Sequence, residues 1–487
     1  MTVADVLAPP DTAAVAPLGP AVLPPGDADI TFDFSGRFRL GIDQWAYIPF
    51  DVPSGVRRIR VDTSHDQLSL FGVARNVLDL GLFGPAGHDV GNIRGFRGWS
   101  GGARTGFALS STEATPGYLA GPIDPGRWFL ALGPVVLNPL GMGWRARIVL
   151  EHDVAETIAL KRSTERGTVT SPRGHGWYRG DLHLHTVHSD GRHDATDLAA
   201  AARAAGLDFI VSTDHNTNSA NREWEACATD GLLVVAGEEV TTRHGHWLAV
   251  GLPPGGWVDW RYTPRDGVFP RYAEHVRAGG GMVVAAHPTV PLPGAAWEFG
   301  YRSVDAVEVW NGTWNLDDEL TLRIWHRLLR QGRRIAAVAG SDSHGAHQPV
   351  GLPQTVVHAT QLSTSWLVEA LRAGRSYLAE SGQVSVQLTA SCADGQVVAG
   401  PGEVLGLPDG ANVTVSAQVS GATGTRLTLV TAHRCVASAD ADGSGVARLD
   451  WASTGPGAMF ARAEVRRLGR GRIGSMVALT NPVWFRP

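Results

Sequence analysis

Lysine is almost missing from this chain. Lys161 is the only one, so nearly all of the 42 basic residues are arginine. That excludes most lysine-centred chemistry, including Schiff bases and a phosphate-loop lysine. Cysteine is nearly as scarce: Cys227, Cys392 and Cys435 are far apart and odd in number, which supports neither a disulfide framework nor a thiolate zinc site. A formal net charge of -5 leaves no basic footprint for nucleic acid or for an anionic membrane. No apolar run of membrane-spanning length escapes interruption by Gly, Pro or charge. The start, MTVADVLAPPD, has no basic segment and no continuous apolar stretch, so it does not read as a signal peptide. These absences lead to the expectation of a cytoplasmic enzyme acting on a small molecule. Its oligomeric state stays open.

What the chain does have is length and patterned segments. At 487 residues it exceeds the size at which one core keeps growing, so two or three domains are expected. Residues 1–27, rich in Ala, Pro and Val, read as a disordered tail. Over 28–153, short β-type runs such as YIPFDV and RARIVLEH alternate with Gly/Pro turns and suggest a β-sandwich or jelly roll. Residues 154–176 read as a linker. From 177 to 383 apolar runs alternate with helical ones, the first helix starting at Asp194 or Thr196 and stopping at Gly206. This pattern argues for a mostly parallel β/α domain. Residues 384–487 return to alternating β runs and suggest a second small sandwich.

The 18 histidines fall where chemistry would need them. Composition alone gives about one His-x-His motif, so a single pair means little. The joint pattern is more telling. Successive strand ends carry His183, His185 and Asp190; then Asp214 and His215; Glu238 and Glu239; His244 and His246; His287; and finally Asp342 and His344. Parallel β/α domains place their sites at these C-terminal strand ends, and residues at i and i+2 share a strand face. Buried carboxylates and imidazoles are costly unless paired or metal-bound. The ligand set contains N and O without sulfur, which favours Zn²⁺, Mn²⁺ or Fe. More than four candidates implies more than one ion, and clustered ions serve hydrolysis.

The segments GDLHLHTVHSDG, STDHN, GEEV, AAHP and GSDSH, in this order, resemble the motifs of the PHP (polymerase and histidinol phosphatase) family. WYRGDLHLHT, the later GHW and the flanking β regions are similar to its CehA/McbA-like branch. The resemblance implies an α/β fold, a distorted (β/α)7 barrel flanked by N-terminal and C-terminal β-sandwich-like domains, with two or three divalent metals. By motif, His183, His185, Glu239 and Asp342 would hold one ion, and Glu239 would bridge to a second at His246 and His287. Asp190, His215 and His344 would hold a third or face the substrate as catalytic groups. Gly-x-Glu spacing favours Glu239 over Glu238, and the opening of the strand HWLAVG favours His246 over His244. Asp181 and Asp214 are candidates for orienting ligands, or for caps and turns. Glu308 and Asn311 could touch substrate or simply satisfy a turn. Trp257, Trp260 and Trp297 belong to pocket walls or to loop packing, while His188, His193, His244 and His347 are expected at the surface.

The leading expectation is a metal-dependent phosphoesterase using a hydroxide held by several ions, with a small-molecule ester as substrate. The alternative is a carboxyl or carbamate ester hydrolase. A third reading is a non-catalytic module whose β regions bind glycan or protein.

Overall fold

The computed structural model describes residues 16–17, 29–39, 41–67, 75–152, 174–227, 231–392, 398–407, 411–454, 459–469 and 474–486. Most of the expected tail and linker therefore lies outside the described residues. Ala16–Pro17 pairs with the strand Ile30–Phe38.

In the N-terminal region, Ile30–Phe38, Met142–Glu151, Arg58–His65 and Gly106–Ser110 form one antiparallel sheet. Ala46–Val52, Gly126–Val136, Val77–Phe83 and Phe96–Gly101 form another. Alternation along Ala46–Val52 turns Ala46, Ile48, Phe50 and Val52 inward. There they meet Ile59, Val61 and Ile148 of the facing sheet in one core.

The central strands are β1 (Gly176–Asp181), β2 (Phe209–Ser212), β3 (Leu233–Thr242), β4 (Gly245–Val250), β5 (Met282–Ala285), β6 (Ala306–Asn311), β7 (Ala336–Gly340), β8 (Gln354–Ala359) and β9 (Ser376–Ala379). The helices are α1 (Ala195–Ala204), α2 (Asn221–Ala226), α3 (Phe269–Ala278), α4 (Leu316–Arg330) and α5 (Thr364–Ala373). Asp194 caps α1 by accepting the Asp197 N–H at 2.9 Å, and Gly206 follows it in the left-handed region. Strands β1 to β7 pair in chain order, with β8 and β9 continuing beyond β1.

The expected parallel alternation is incomplete, and most of the regular structure is β. Strand β4 runs antiparallel to both β3 and β5. A tight turn at 242–245 joins β3 to β4, which leaves no chain for a crossover helix. Nor does a helix intervene between β5 and β6 among the described residues. Beyond the strand ends, segments following β1 and β7 meet again. His185 N–H donates to the Ser343 carbonyl (3.0 Å), and Asp342 N–H to that of His183 (2.8 Å).

The C-terminal strands fall in two sheets: Val398–Ala399, Ser385–Cys392, Asn412–Ser420 and Ala447–Thr454 form one of their own, and the rest continue the central sheet. Strand β9 pairs with Met476–Thr480, so the central sheet runs unbroken into the C-terminal one. One apolar cluster also joins Phe83, Phe96 and Trp99 of the N-terminal region to Trp247, Trp257 and Trp260 of the centre and Phe460 and Leu479 of the C-terminal region. No helix of the described residues is long and apolar enough to cross a membrane.

Candidate metal centre

Just past β1, His183 and His185 are fully buried. Asp181 holds the backbone there, accepting N–H groups from His183 (3.2 Å), Ser341 (2.9 Å) and Gly351 (2.8 Å). Asp214 likewise accepts from Thr186 N–H (2.8 Å) and from the hydroxyls of Thr186 (2.8 Å) and Ser189 (2.6 Å). Neither carboxylate bonds directly to an imidazole. Their work is to fix the loops that carry the imidazoles.

Three groups of ligand-type atoms converge. In the first, His183 Nε2 lies 3.3 Å from Glu239 Oε2 and 3.4 Å from Asp342 Oδ1, and His185 Nε2 lies 3.4 Å and 3.0 Å from the same two oxygens. In the second, the other Glu239 oxygen, Oε1, lies 2.9 Å from His246 Nδ1 and 3.1 Å from His287 Nε2. In the third, Asp190 Oδ1 lies 3.4 Å from His215 Nε2 and 3.1 Å from His344 Nε2, with His185 alongside. The structure thus brings together all nine residues that the motifs single out as ligands. Glu239 and His246 point into the cluster. Glu238 faces the opposite way, and His244 pairs with Glu298 and Asp43.

Several imidazoles are held in a ligand-ready tautomer. His183 donates Nδ1–H to Glu308 Oε1 (3.0 Å) and His344 donates Nδ1–H to the Asp342 carbonyl (2.8 Å). His215 Nδ1 has two oxygens to donate to, the Thr241 hydroxyl (2.6 Å), which itself donates to the Glu239 carbonyl (3.1 Å), and Glu239 Oε2 (2.8 Å). Each of these bonds leaves an Nε2 lone pair facing the cluster. Glu308 is buried behind His183, and its other oxygen accepts the His287 N–H (2.8 Å) and an Asn311 amide hydrogen (3.1 Å). Asn311 also donates to Asp342 Oδ2 at 3.3 Å. These two residues, expected at substrate or in a turn, face candidate ligands.

The donor set fits divalent cations. His183 Nε2 and Glu239 Oε2 are buried and face each other without a hydrogen bond, and His215 Nδ1 stands 2.8 Å from the same oxygen. Leaving such a group unmet costs about 1–3 kcal/mol. Separations near 3.3 Å are those of neighbouring ligands around an ion with bonds of about 2.0–2.2 Å. Burial works against the charge on Glu239, but His215, His183 and His246 hold its carboxyl well below the usual range. Asp342 is held down in the same way by His183 and His185. Burial would lower His215, yet Glu239 and Asp190 raise it to about 10. Without a cation these carboxylates draw protons onto imidazoles, and metal would take the place of those protons.

The backbone is unusual here as well. Asn216, His287 and Asp342 are the non-glycine residues with positive φ among those described, at 55°, 25° and 51°. All three sit at the site, where strain of this kind concentrates. The mouth lies over the third group: Asp190 is 46% exposed at its side chain, His344 28% and His215 22%.

The tryptophans expected as walls or packing are core residues in two cases. Trp257 stacks on Phe96, and Trp260 packs on Trp99, with ring centroids 4.1 and 4.3 Å apart. Trp297 packs on Phe269 and Phe299. His188, expected at the surface, is buried between Ser219 Oγ (2.8 Å) and Glu223 Oε2 (2.6 Å). Ser189 and Thr241 escaped sequence reasoning. Thr241 could have been found, since it stands two residues after Glu239 on the same strand face.

No family model matches the chain, and no curated protein does. Among solved structures, it is similar to a two-domain protein from Bacteroides vulgatus containing a predicted PHP-like metal-dependent phosphoesterase. The identity is 16% over 65% of this chain and 99% of the other, with a TM-score of 0.35. A proposed metal-dependent phosphoesterase from Bifidobacterium adolescentis is 21% identical over 35% of this chain and 90% of its own, with a TM-score of 0.27. An amidohydrolase from Chromobacterium violaceum, solved with sulfate and no metal, is 20% identical over 35% of this chain and 89% of its own, also at 0.27.

Proposed function

We propose that this protein is a metal-dependent hydrolase of the PHP type, with a phosphoester as its leading substrate class. The observation that carries the reading is the Glu239 carboxylate. One of its oxygens faces His183 and His185, and the other faces His246 and His287. A carboxylate split between two sets of imidazoles is the arrangement a pair of neighbouring cations needs. The pairing order of β1 to β7, with contact between the segments after β1 and β7, supports a distorted seven-stranded barrel as the frame.

His183, His185, Glu239 and Asp342 would hold one ion, and Glu239, His246 and His287 a second. Asp190, His215 and His344 would hold a third, or bind and orient the ester at the mouth. Zn²⁺, Mn²⁺ and Fe are the suitable metals for this donor set. When bound, such ions supply Lewis acidity and let water attack at neutral pH. The protein's own part is to fix tautomers through Glu308, Thr241 and the Asp342 carbonyl, and to keep the deeper two groups dry.

The test is metal analysis of protein purified without chelator, followed by assays on p-nitrophenyl phosphate, a phosphodiester and a naphthyl carbamate. Bound metal with chelator-sensitive phosphoester turnover is the expected result. Turnover of the carbamate alone would shift the reading to an ester hydrolase of the CehA/McbA type. Absence of metal together with absence of turnover would favour a binding module.

A further inference from the structure

The hairpin joining β3 to β4 carries a second kind of residue. Between Thr241, which holds the His215 ring, and His246, which faces Glu239, lies Arg243, whose side chain is only 9% exposed. It does not turn toward the candidate ligands. Its guanidinium carbon lies over Trp45 of the N-terminal region, 3.9 Å from the ring centroid, and Nη1 donates to the Gln44 carbonyl at 3.2 Å. Gly133 abuts both groups, and any Cβ there would come within 2.5 Å of Nη2 and 2.7 Å of the Trp45 ring. Nη2 faces Asp79 at 3.9 Å and has no hydrogen-bond partner. Next to it, His244 reaches Asp43 of the same region at 3.2 Å.

We propose that Arg243 is a positioning residue through which the N-terminal sandwich sets the geometry of the ion at Glu239, His246 and His287. The proposal rests on the metal-centre reading above. The turn at 242–245 is short, so the place where Arg243 is gripped fixes where Thr241 and His246 stand. A guanidinium held over the Trp45 ring, with Nη1 on the Gln44 carbonyl and Gly133 pressed against both, permits little sliding, and a lysine could not reproduce these contacts. The N-terminal sandwich thus acts on the metal centre without supplying a ligand.

A second buried arginine provides the control. Arg261 also crosses to the N-terminal region, donating to Tyr47 Oη and the His88 carbonyl, both at 2.9 Å. It is as deeply buried and pairs with Asp259 at 2.6 Å, but its loop carries no candidate ligand. The experiment titrates Zn²⁺ and Mn²⁺ into metal-free protein against a chromophoric chelator, with thermal melting of the same samples. Arg243→Ala should weaken one ion by about 10–100-fold, the range for residues that orient ligands, and leave the tightest ion unchanged. Arg261→Ala should lower the melting temperature without moving any metal affinity. Trp45→Leu, a milder change made from the N-terminal side, should weaken the same ion, and Trp45→Phe should restore it. Unchanged affinities in Arg243→Ala and Trp45→Leu, or equal losses in Arg261→Ala, would overturn this proposal alone. A wild-type chain that takes up no ion would overturn the metal-centre reading as well.

Discussion

Strand β3 separates two regions that treat adjacent glutamates in opposite ways. Glu239 faces imidazoles from four other segments, and Glu238 faces the loop that carries Trp257, Val258 and Trp260. Both side chains are fully buried. Yet the imidazoles hold the Glu239 carboxyl well below its ordinary range, while burial, with Asp259 nearby, pushes Glu238 well above it. Glu238 has one protein partner, the Val258 N–H at 2.8 Å, and its Oε1 has none. Depth is therefore not what sets the charge of a buried acid here. The partners on its face of the strand do.

The harshest test of this contrast is Glu239→Gln. It removes the charge that two groups share, so at least one ion and nearly all turnover should be lost, by metal analysis and steady-state kinetics. A variant that keeps its metal and rate would collapse the distinction between the faces. Glu308→Gln comes next: it retains the shape behind His183 but loses the anion that fixes its tautomer. Metal affinity should fall about 10–100-fold in chelator competition.

Acidity sharpens the contrast further. Ligand imidazoles must be neutral to bind metal, and in the metal-free site, against the pull of burial, neighbouring carboxylates raise His183, His215, His287 and His344 above the ordinary 6.5, so protons already compete with metal at neutral pH. Metal content and turnover should therefore decline together as pH falls through mild acid. Activity lost with the metal still bound would point to a different titrating group.

The smallest effect belongs to Glu238→Gln, which should keep its metal and most of its rate. Its signature is in stability. A carboxyl raised above the ordinary 4.5 binds more protons folded than unfolded, so it costs stability progressively as pH rises from about 4.5 toward its folded value. Glutamine carries no such slope. In melts at pH 5 and pH 8, the variant should gain on wild type at the higher pH. A constant difference would mean that Glu238 titrates normally.

The resemblance carried by the ordered motifs made the ligand set readable from sequence, and strand periodicity on β3 divides Glu238 from Glu239. The start and end of α1 were readable for a local reason as well, through Asp194 and Gly206. What depends on partners far along the chain was not. The direction of Glu308 follows from its meeting His183, 125 residues away. His188 is buried by Ser219 and by Glu223 of α2, and Trp257 and Trp260 by the N-terminal Phe96 and Trp99. The β3–β4 turn hid because HGHW reads as a strand opening, and its one turn signal, Gly245, does not by itself show an antiparallel return.

The seam between β9 and Met476–Thr480 has a consequence for how the chain is made. Strand β9 leaves the ribosome about a hundred residues before its neighbour, with one edge of backbone donors and acceptors open meanwhile. An open edge recruits other strands, including those of a second nascent chain. Shortening the chain before residue 476 would make that interval permanent, turning an internal sheet strand into an aggregation template. Strands made later thus protect a sheet whose candidate site end was finished long before.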